Sequence, residues 1–243
     1  GEAGYPSALT APTWGFYDAS FNGQPFRFQR PYGSHVMENM LFKITYPAEF
    51  HSQTAVEAAM QLHGQLEKLG KTVDDIQKIT VTTHEACLRI INKQGPLHNP
   101  ADRDHCIQYM VAVPLIFGRL RATDYEDSVA ADPRIDALRA KITCVENKQY
   151  TADYHDPDKR SITNALRVEL KDGTRLKELE IEYPIGHKRR RKDGLPLLQA
   201  KFRTNLARRF ARRQQDAILA VSLDQKQLEA MPVNAYVDLY MSC

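Results

Sequence analysis

Strand-like and helix-like segments alternate between residues 39 and 185, and this alternation restricts the possible folds more than any other feature. In the clearest strand-like segment, residues 76–83, Ile79 and Val81 are spaced two apart, as on one face of a strand. Before it, Ala55, Ala59 and the leucines that follow recur every three or four residues, as on one face of a helix. The pattern therefore predicts an α+β domain over residues 39–185.

The same patterns predict the individual elements of this domain. Pro47 should end a strand over residues 40–46, and Asp172-Gly173 is typical of a hairpin turn. The other predicted elements are a helix opened by the capping box Thr54-x-x-Glu57, a short helix over 85–91, one helix from Asp102 to Phe117, and hairpin strands over 162–170 and 176–183.

The segments on either side differ from this domain. Residues 1–38 are rich in Gly, Pro and aromatic side chains, which predicts a long irregular connector. Residues 186–243 have a helical pattern, with Leu198, Phe202 and Leu206 four apart. These helices are too few to bury a core by themselves, so we expect them to pack against helices from outside this sequence.

Composition excludes several classes of protein. The net charge of +3 is too small to indicate a nucleic-acid-binding protein. No apolar run approaches the roughly 20 residues of a membrane-spanning helix, so we expect no membrane contact. The four cysteines form no C-x-x-C pair, which argues against a metal or iron–sulfur site built from this segment and favours a reducing compartment.

The first candidate site follows the predicted strand over residues 40–46. Lys43 lies on that strand, and Glu49 and His51 lie in the loop before the next helix. A strand end beside a helix N-terminus is a natural site for an anion, so Lys43 is a candidate to bind a carboxylate. His51 is a candidate to transfer a proton near neutral pH. A solvated surface loop explains the same residues equally well.

The second candidate site is the start of the helix predicted from Asp102. His105 and Tyr109 are four residues apart and would share one helix face, while Arg103 could bind a carboxylate through two hydrogen bonds. Asp102 would be the N-cap. Ordinary packing of His105 and Tyr109 is an alternative.

Two further segments are strongly polar. Residues 153–160 read as a loop in which Arg160 could line a pocket or pair with nearby aspartates at the surface. Residues 186–194 contain the basic run Lys-Arg-Arg-Arg-Lys, which is usual for a solvated surface and sometimes binds nucleic acid or an anion at a domain interface.

Several ordered motifs together resemble the 2-methylcitrate dehydratase branch of the MmgE/PrpD family. The similarity runs from about Pro6 to the C-terminus, and the spacing Tyr-Pro-Ala-Glu-Phe-His differs from that of the family's cis-aconitate decarboxylases. The motifs are Phe42-Lys-Ile-Thr-Tyr-Pro-Ala-Glu-Phe-His51, Gly95-Pro-Leu-His-Asn-Pro-Ala-Asp-Arg-Asp-His105 and Tyr183-Pro-Ile-Gly-His-Lys-Arg-Arg-Arg191.

The resemblance implies a two-part architecture with the active site between the parts. Residues 39–185 would form an α/β lid domain, and residues 186–243 would return to a mostly helical domain whose larger, N-terminal portion lies outside this sequence. It also implies metal-free and cofactor-free dehydration of a tricarboxylate, in a homodimer located in the bacterial cytoplasm or the mitochondrial matrix. Tyr109 resembles an active-site tyrosine shared across the family.

These considerations assign roles to six residues. His51, His105 and Tyr109 are the predicted catalytic residues, and Lys43, Arg103 and Arg160 are predicted to bind substrate carboxylates. Two alternatives remain: an aconitate-processing decarboxylase or hydratase of the same family, and a basic nucleic-acid-binding module that uses residues 188–192 and 208–213.

Overall fold

The computed structural model describes residues 7–28 and 45–241 of the chain. The chain divides into two units, with residues 7–28 in the first and residues 45–241 in the second. No helix in these two stretches combines the length and the apolar character needed to cross a bilayer.

Residues 7–28 contain a short helix within the predicted irregular connector. Helix α1 spans Phe16–Phe21 and follows a series of turns, in which the Thr13 N–H donates to the Asp18 carboxylate at 2.6 Å. Trp14 is 86% exposed. Four phenylalanines form a chain of ring contacts with centroids 5.1 to 5.5 Å apart: Phe16, Phe21, Phe26 and Phe28.

A four-stranded mixed sheet organises residues 45–241, confirming the α+β class. The strands are β1 (Ile76–Thr83), β2 (Ile142–Glu146), β3 (Asn164–Leu170) and β4 (Leu179–Ile181), in the order β2-β1-β3-β4. Strand β1 pairs in parallel with β2, and the β1–β3 and β3–β4 pairs are antiparallel. The predicted hairpin joins β3 to β4, and Gly173 adopts the positive φ of +85° that its turn requires.

Helices cover the sheet and fill the connection between β1 and β2. Helix α2 packs against α5, β3 and β4, and buries Ala55, Ala59, Leu62 and Leu66. Burial of each large apolar side chain contributes roughly 1.5–3 kcal/mol. The helices are α2 (Gln53–Lys68), α3 (Glu85–Ile91), α4 (Pro100–Asp104), α5 (Ile107–Phe117), α6 (Asp127–Ala130), α7 (Pro133–Arg139) and α8 (Lys148–His155).

Four helices follow up to residue 241, where the described part of the chain ends, in the segment predicted to be helical. They are α9 (Arg191–Ala207), α10 (Arg212–Ser222), α11 (Gln225–Ala230) and α12 (Val233–Asp238). Leu206, Ile218 and Leu219 form a small buried cluster. Other apolar side chains of these helices are exposed, among them Leu195 at 54% and Val233 at 79%.

The capping box predicted at Thr54 and Glu57 is wrong, although the helix is present. Helix α2 begins at Gln53, and Ser52 is its N-cap. The Thr54 hydroxyl donates instead to the Ile162 carbonyl at 2.7 Å, and Glu57 pairs with Arg190. Both side chains therefore bind partners more than 100 residues away in the sequence instead of capping the helix.

The single helix predicted from Asp102 to Phe117 is in fact two helices. Asn99 rather than Asp102 is the first N-cap, because its side chain accepts the Asp102 N–H at 2.9 Å and Pro100 occupies the first turn. His105 ends α4, and Cys106 is extended before α5 begins. His105 and Tyr109 consequently do not share a helix face.

Smaller differences concern segment ends. Residues 40–44 lie outside the described residues, and Thr45 and Tyr46 are not in a strand. Residues 153–155, predicted as a loop, complete α8, and the basic run over 188–192 enters α9 at Arg191. Leu69, predicted on the buried face of α2, is 54% exposed because it follows the end of that helix.

Candidate active site

His51, His84 and Tyr154 cluster at the carboxyl ends of the two parallel strands. His84 directly follows β1, and Tyr154 lies on α8, which follows β2. His51 lies in a single 3₁₀ turn, Phe50–Ser52, immediately before α2. Ligand sites in α/β proteins typically form at this edge of a parallel strand pair.

Glu49 orients the His51 imidazole. His51 Nδ1 lies 2.8 Å from Glu49 Oε1, and the His51 backbone N–H donates to Glu49 Oε2, also at 2.8 Å. Because an ionised carboxylate only accepts, this contact places a proton on Nδ1. In the neutral ring Nε2 is then free to accept from the Tyr154 hydroxyl, 3.2 Å away. The three groups form a carboxylate–imidazole–phenol chain.

His84 packs against two members of this chain, Tyr154 and His51. Its ring stacks on Tyr154 with centroids 4.7 Å apart and lies 5.2 Å from the His51 ring. His84 is fully buried. Burial, and to a smaller extent the nearby His51, lowers the pKa of His84 to about 4. A neutral His84 therefore supports Tyr154 beside His51 without adding a positive charge.

Hydrogen bonds to β3 hold the turn that carries His51. The Asn164 amide donates to the His51 carbonyl at 2.8 Å and to the Thr54 hydroxyl at 2.7 Å. The Ser52 hydroxyl donates to the Glu49 carbonyl at 2.6 Å. These contacts fix the imidazole relative to the sheet, as proton transfer requires.

Arg103 and Tyr109 lie together in a second cluster. The Arg103 guanidinium donates to the Tyr125 carbonyl at 2.6 Å and pairs with Asp127 at 2.6 Å. The Tyr109 hydroxyl donates to the Asp124 carbonyl at 2.6 Å, and burial raises its pKa to about 12. Tyr109 is thus a neutral hydrogen-bond donor across the physiological pH range.

Most of the chain matches one known protein family. Residues 46–226 match the MmgE/PrpD C-terminal domain. The chain belongs to the MmgE/PrpD family. It is 73% identical to the 2-methylcitrate dehydratase of Cupriavidus necator over 240 residues and 69% identical to that of Escherichia coli K12 over 241 residues. It is 61% identical over 241 residues to the mitochondrial 2-methylcitrate dehydratase of Yarrowia lipolytica.

The MmgE/PrpD chain spans about half the length of these relatives. Each of the three alignments covers 99% of this chain, but only 50% of the two bacterial proteins and 46% of the Yarrowia protein. The part of the chain that matches the family's C-terminal domain is residues 46–226.

The remaining predicted site residues of this MmgE/PrpD domain are dispersed. His105 is exposed, 3.7 Å from the Asp104 carboxylate. Arg160 is also exposed, and its backbone has a positive φ of +48°. Lys43 lies outside the described residues. Of the predicted site residues that the structure describes, Arg103 and Tyr109 line one cavity together.

The sequence predicts no role for Glu49, His84 or Tyr154. Glu49 precedes His51 by only two residues, and the position of His84 at the end of β1 was a usable signal. No local sequence pattern indicates a role for Tyr154, because its contact partner His51 lies 103 residues away in the sequence.

The basic run of the MmgE/PrpD domain has internal partners. The Arg189 guanidinium lies 4.9 Å from the Tyr183 ring centroid and donates to the Asp158 carbonyl at 2.8 Å. Arg190 donates to both carboxylate oxygens of Glu57. Within the described residues, no group of three or more His, Cys, Asp or Glu side chains is arranged to hold a metal ion.

Proposed function

We propose that the full-length protein containing this domain is a hydro-lyase that converts 2-methylcitrate to 2-methyl-cis-aconitate in propionate breakdown, without a metal. The similarity to proteins named 2-methylcitrate dehydratase supports the substrate. The observation that carries the chemistry is the Glu49–His51–Tyr154 chain.

The proposed elimination requires one group to take a carbon-bound proton and another to protonate the departing hydroxyl. His51 takes or gives one of these protons, and Glu49 stabilises the imidazolium that forms. Tyr154 orients Nε2 and passes the proton on. His105 and Tyr109 remain candidates for the second proton-transfer group.

Cationic side chains bind the substrate carboxylates and stabilise negative charge in the transition state. We propose Lys43, Arg103 and Arg160 for this role. The other half of the full-length protein would supply the opposite wall of the cleft and the helices that cover the apolar surface of α9–α12. A homodimer, in the bacterial cytoplasm or the mitochondrial matrix, completes the proposal.

The decisive assay incubates the purified full-length protein with 2-methylcitrate and follows the absorbance of the conjugated product. We expect turnover that a chelator leaves unchanged. His51→Ala should lower kcat by roughly 10²–10⁴-fold. Near-wild-type kcat in that variant would remove His51 from the mechanism, and His105→Ala tests the other histidine. Carbon dioxide release from cis-aconitate would instead indicate a decarboxylase.

Tyr154→Phe tests the chain itself, because it removes only the hydroxyl that contacts His51. We expect kcat to fall about 10-fold or more, with folding intact. Tyr150→Phe is the matched control, since Tyr150 lies on the same helix and its hydroxyl donates to Glu180 rather than to His51. Equal effects of the two substitutions would argue against proton transfer through Tyr154.

A further inference from the structure

A cavity of about 390 Å³ lies among α4, α5, α6 and α7, lined by residues other than His51, His84 and Tyr154. Its volume is within the range of roughly 300–1,000 Å³ that is usual for small-molecule sites. The side chains that carry the argument are Arg103, Tyr109, Asp127, Asp136 and Arg139.

Two guanidinium groups of this cavity are almost completely buried. The side chains of Arg103 and Arg139 are 7% and 10% exposed. Main-chain carbonyls fix both groups: Arg103 donates to the Tyr125 carbonyl at 2.6 Å, and Arg139 donates to the Gly95 carbonyl at 2.9 Å. Both charges are therefore held in place at the cavity wall.

The carboxylates that pair with these two guanidinium groups are, by contrast, exposed to solvent. Asp127, the partner of Arg103, is 84% exposed, and Asp136, the partner of Arg139, is 74% exposed. Burying a guanidinium is costly, and an exposed carboxylate offsets only a small part of that cost. Because both aspartates are well solvated, each can turn into water at little cost and leave its arginine to another anion.

We propose that this cavity binds a polycarboxylate anion, with Arg103 and Arg139 each holding one carboxylate group and Asp127 and Asp136 displaced into solvent. The two aspartates occupy the positions that the ligand's carboxylates would take. The planar guanidinium group presents paired N–H donors that match the two oxygens of a carboxylate. This geometry explains why both positions are arginine rather than lysine.

The test is calorimetric titration of the full-length protein with tricarballylate, a tricarboxylate that has no hydroxyl to eliminate. Arg139→Gln should weaken binding about 10–100-fold through the loss of one charge-assisted contact. Arg134→Gln is the matched control, because Arg134 lies on the same helix and pairs with Asp132 without lining the cavity. Its dissociation constant should equal that of the wild type.

The aspartate variants test the displacement and leave both arginines in place. Asp127→Asn and Asp136→Asn should tighten tricarballylate binding by roughly 2–5-fold each, because the competing carboxylate is removed. A purely structural ion pair predicts no gain. Unchanged or weaker binding in both variants, or an Arg139→Gln affinity within twofold of the wild type, would overturn the proposal.

Steady-state kinetics then identify the source of the anion. If the cavity holds the substrate, Arg139→Gln raises KM while kcat changes less. If it holds a carboxylate other than the substrate, KM stays constant, only tricarballylate binding weakens, and Arg103 leaves the proposed set of substrate-binding residues. The titration needs no turnover, so a failure of the proposed dehydratase activity would be distinguishable from a failure of the cavity assignment.

Discussion

Two buried histidines, His84 and His187, are held neutral by their surroundings. The pKa of each is lowered to about 4, chiefly by burial. The smaller part of the shift comes from the nearby His51 for His84 and from Arg189 for His187. The His187 ring also stacks on Tyr183, with centroids 4.4 Å apart. Neither ring can accept a proton without burying a positive charge.

The lowered pKa values of these two histidines predict that the protein loses stability on acidification. Below about pH 6.5 the unfolded chain binds protons at both positions, while the folded chain does not until about pH 4. Stability present above pH 6.5 is therefore lost as the pH falls through this window, by roughly 2–3 kcal/mol for each histidine.

Urea unfolding at pH 7 and pH 4.5 measures this effect. His187→Gln should lessen the pH dependence of the free energy of unfolding, whereas His105→Gln, at an exposed position, should not. The same pH dependence in wild type and His187→Gln would show that other groups cause the acid sensitivity.

Gly118 controls how α5 ends against α2. It is the C-cap of α5, with φ +63°, and its N–H donates to the Pro114 carbonyl at 2.9 Å. A Cβ at this position would lie 2.8 Å from the His63 ring on α2. His63 cannot easily retreat, because its Nδ1 lies 2.8 Å from the Leu115 carbonyl. The position therefore requires glycine both for backbone conformation and for space.

Gly118→Ala should therefore destabilise the fold by more than its backbone strain alone would. Gly70→Ala isolates the strain, since Gly70 has the same φ of +63° and an added methyl group there would meet no atom within 4 Å. We expect Gly70→Ala to lower the free energy of unfolding by about 1–2 kcal/mol, and Gly118→Ala to lower it by roughly 1–3 kcal/mol more. Equal losses in denaturant unfolding would mean that His63 moves aside freely.

The Glu57–Arg190 pair joins the sheet-packing helix α2 to the segment that leads into the C-terminal helices. Arg190 donates to both Glu57 oxygens, at 2.8 and 2.9 Å, and to the Tyr183 carbonyl at 2.7 Å. The side chains of Glu57 and Arg190 are 11% and 23% exposed, so water screens the pair only weakly.

Removing one partner should destabilise the molecule, because the other charge is left partly buried. We expect Glu57→Ala to lower the free energy of unfolding by roughly 2–4 kcal/mol. Asp216→Ala is the control: it breaks the Arg212–Asp216 pair, whose side chains are 83% and 55% exposed, and should cost less than about 0.5 kcal/mol. A cost for Glu57→Ala as small as that of the control would contradict this account.

Local patterns in the sequence determined most elements of the fold. The period-two apolar residues of β1, the Asp-Gly hairpin turn and the apolar face of α2 each act between neighbours in the chain, so they can be recognised without a structure. The break between α4 and α5 was missed because Asn99 and Pro100 define a separate short helix, whose signals were attributed to a longer one.

Tertiary structure alone decided which side chains meet. His51 stood out as a titratable residue beside a helix start, but its partner Tyr154 comes from a helix 103 residues further along the chain. The adjacent positions of β1 and β2 in the strand order β2-β1-β3-β4 bring the residue after β1, His84, beside α8, where it stacks on Tyr154. Strand order depends on long-range pairing and on burial of both sheet faces, and no local spacing encodes it.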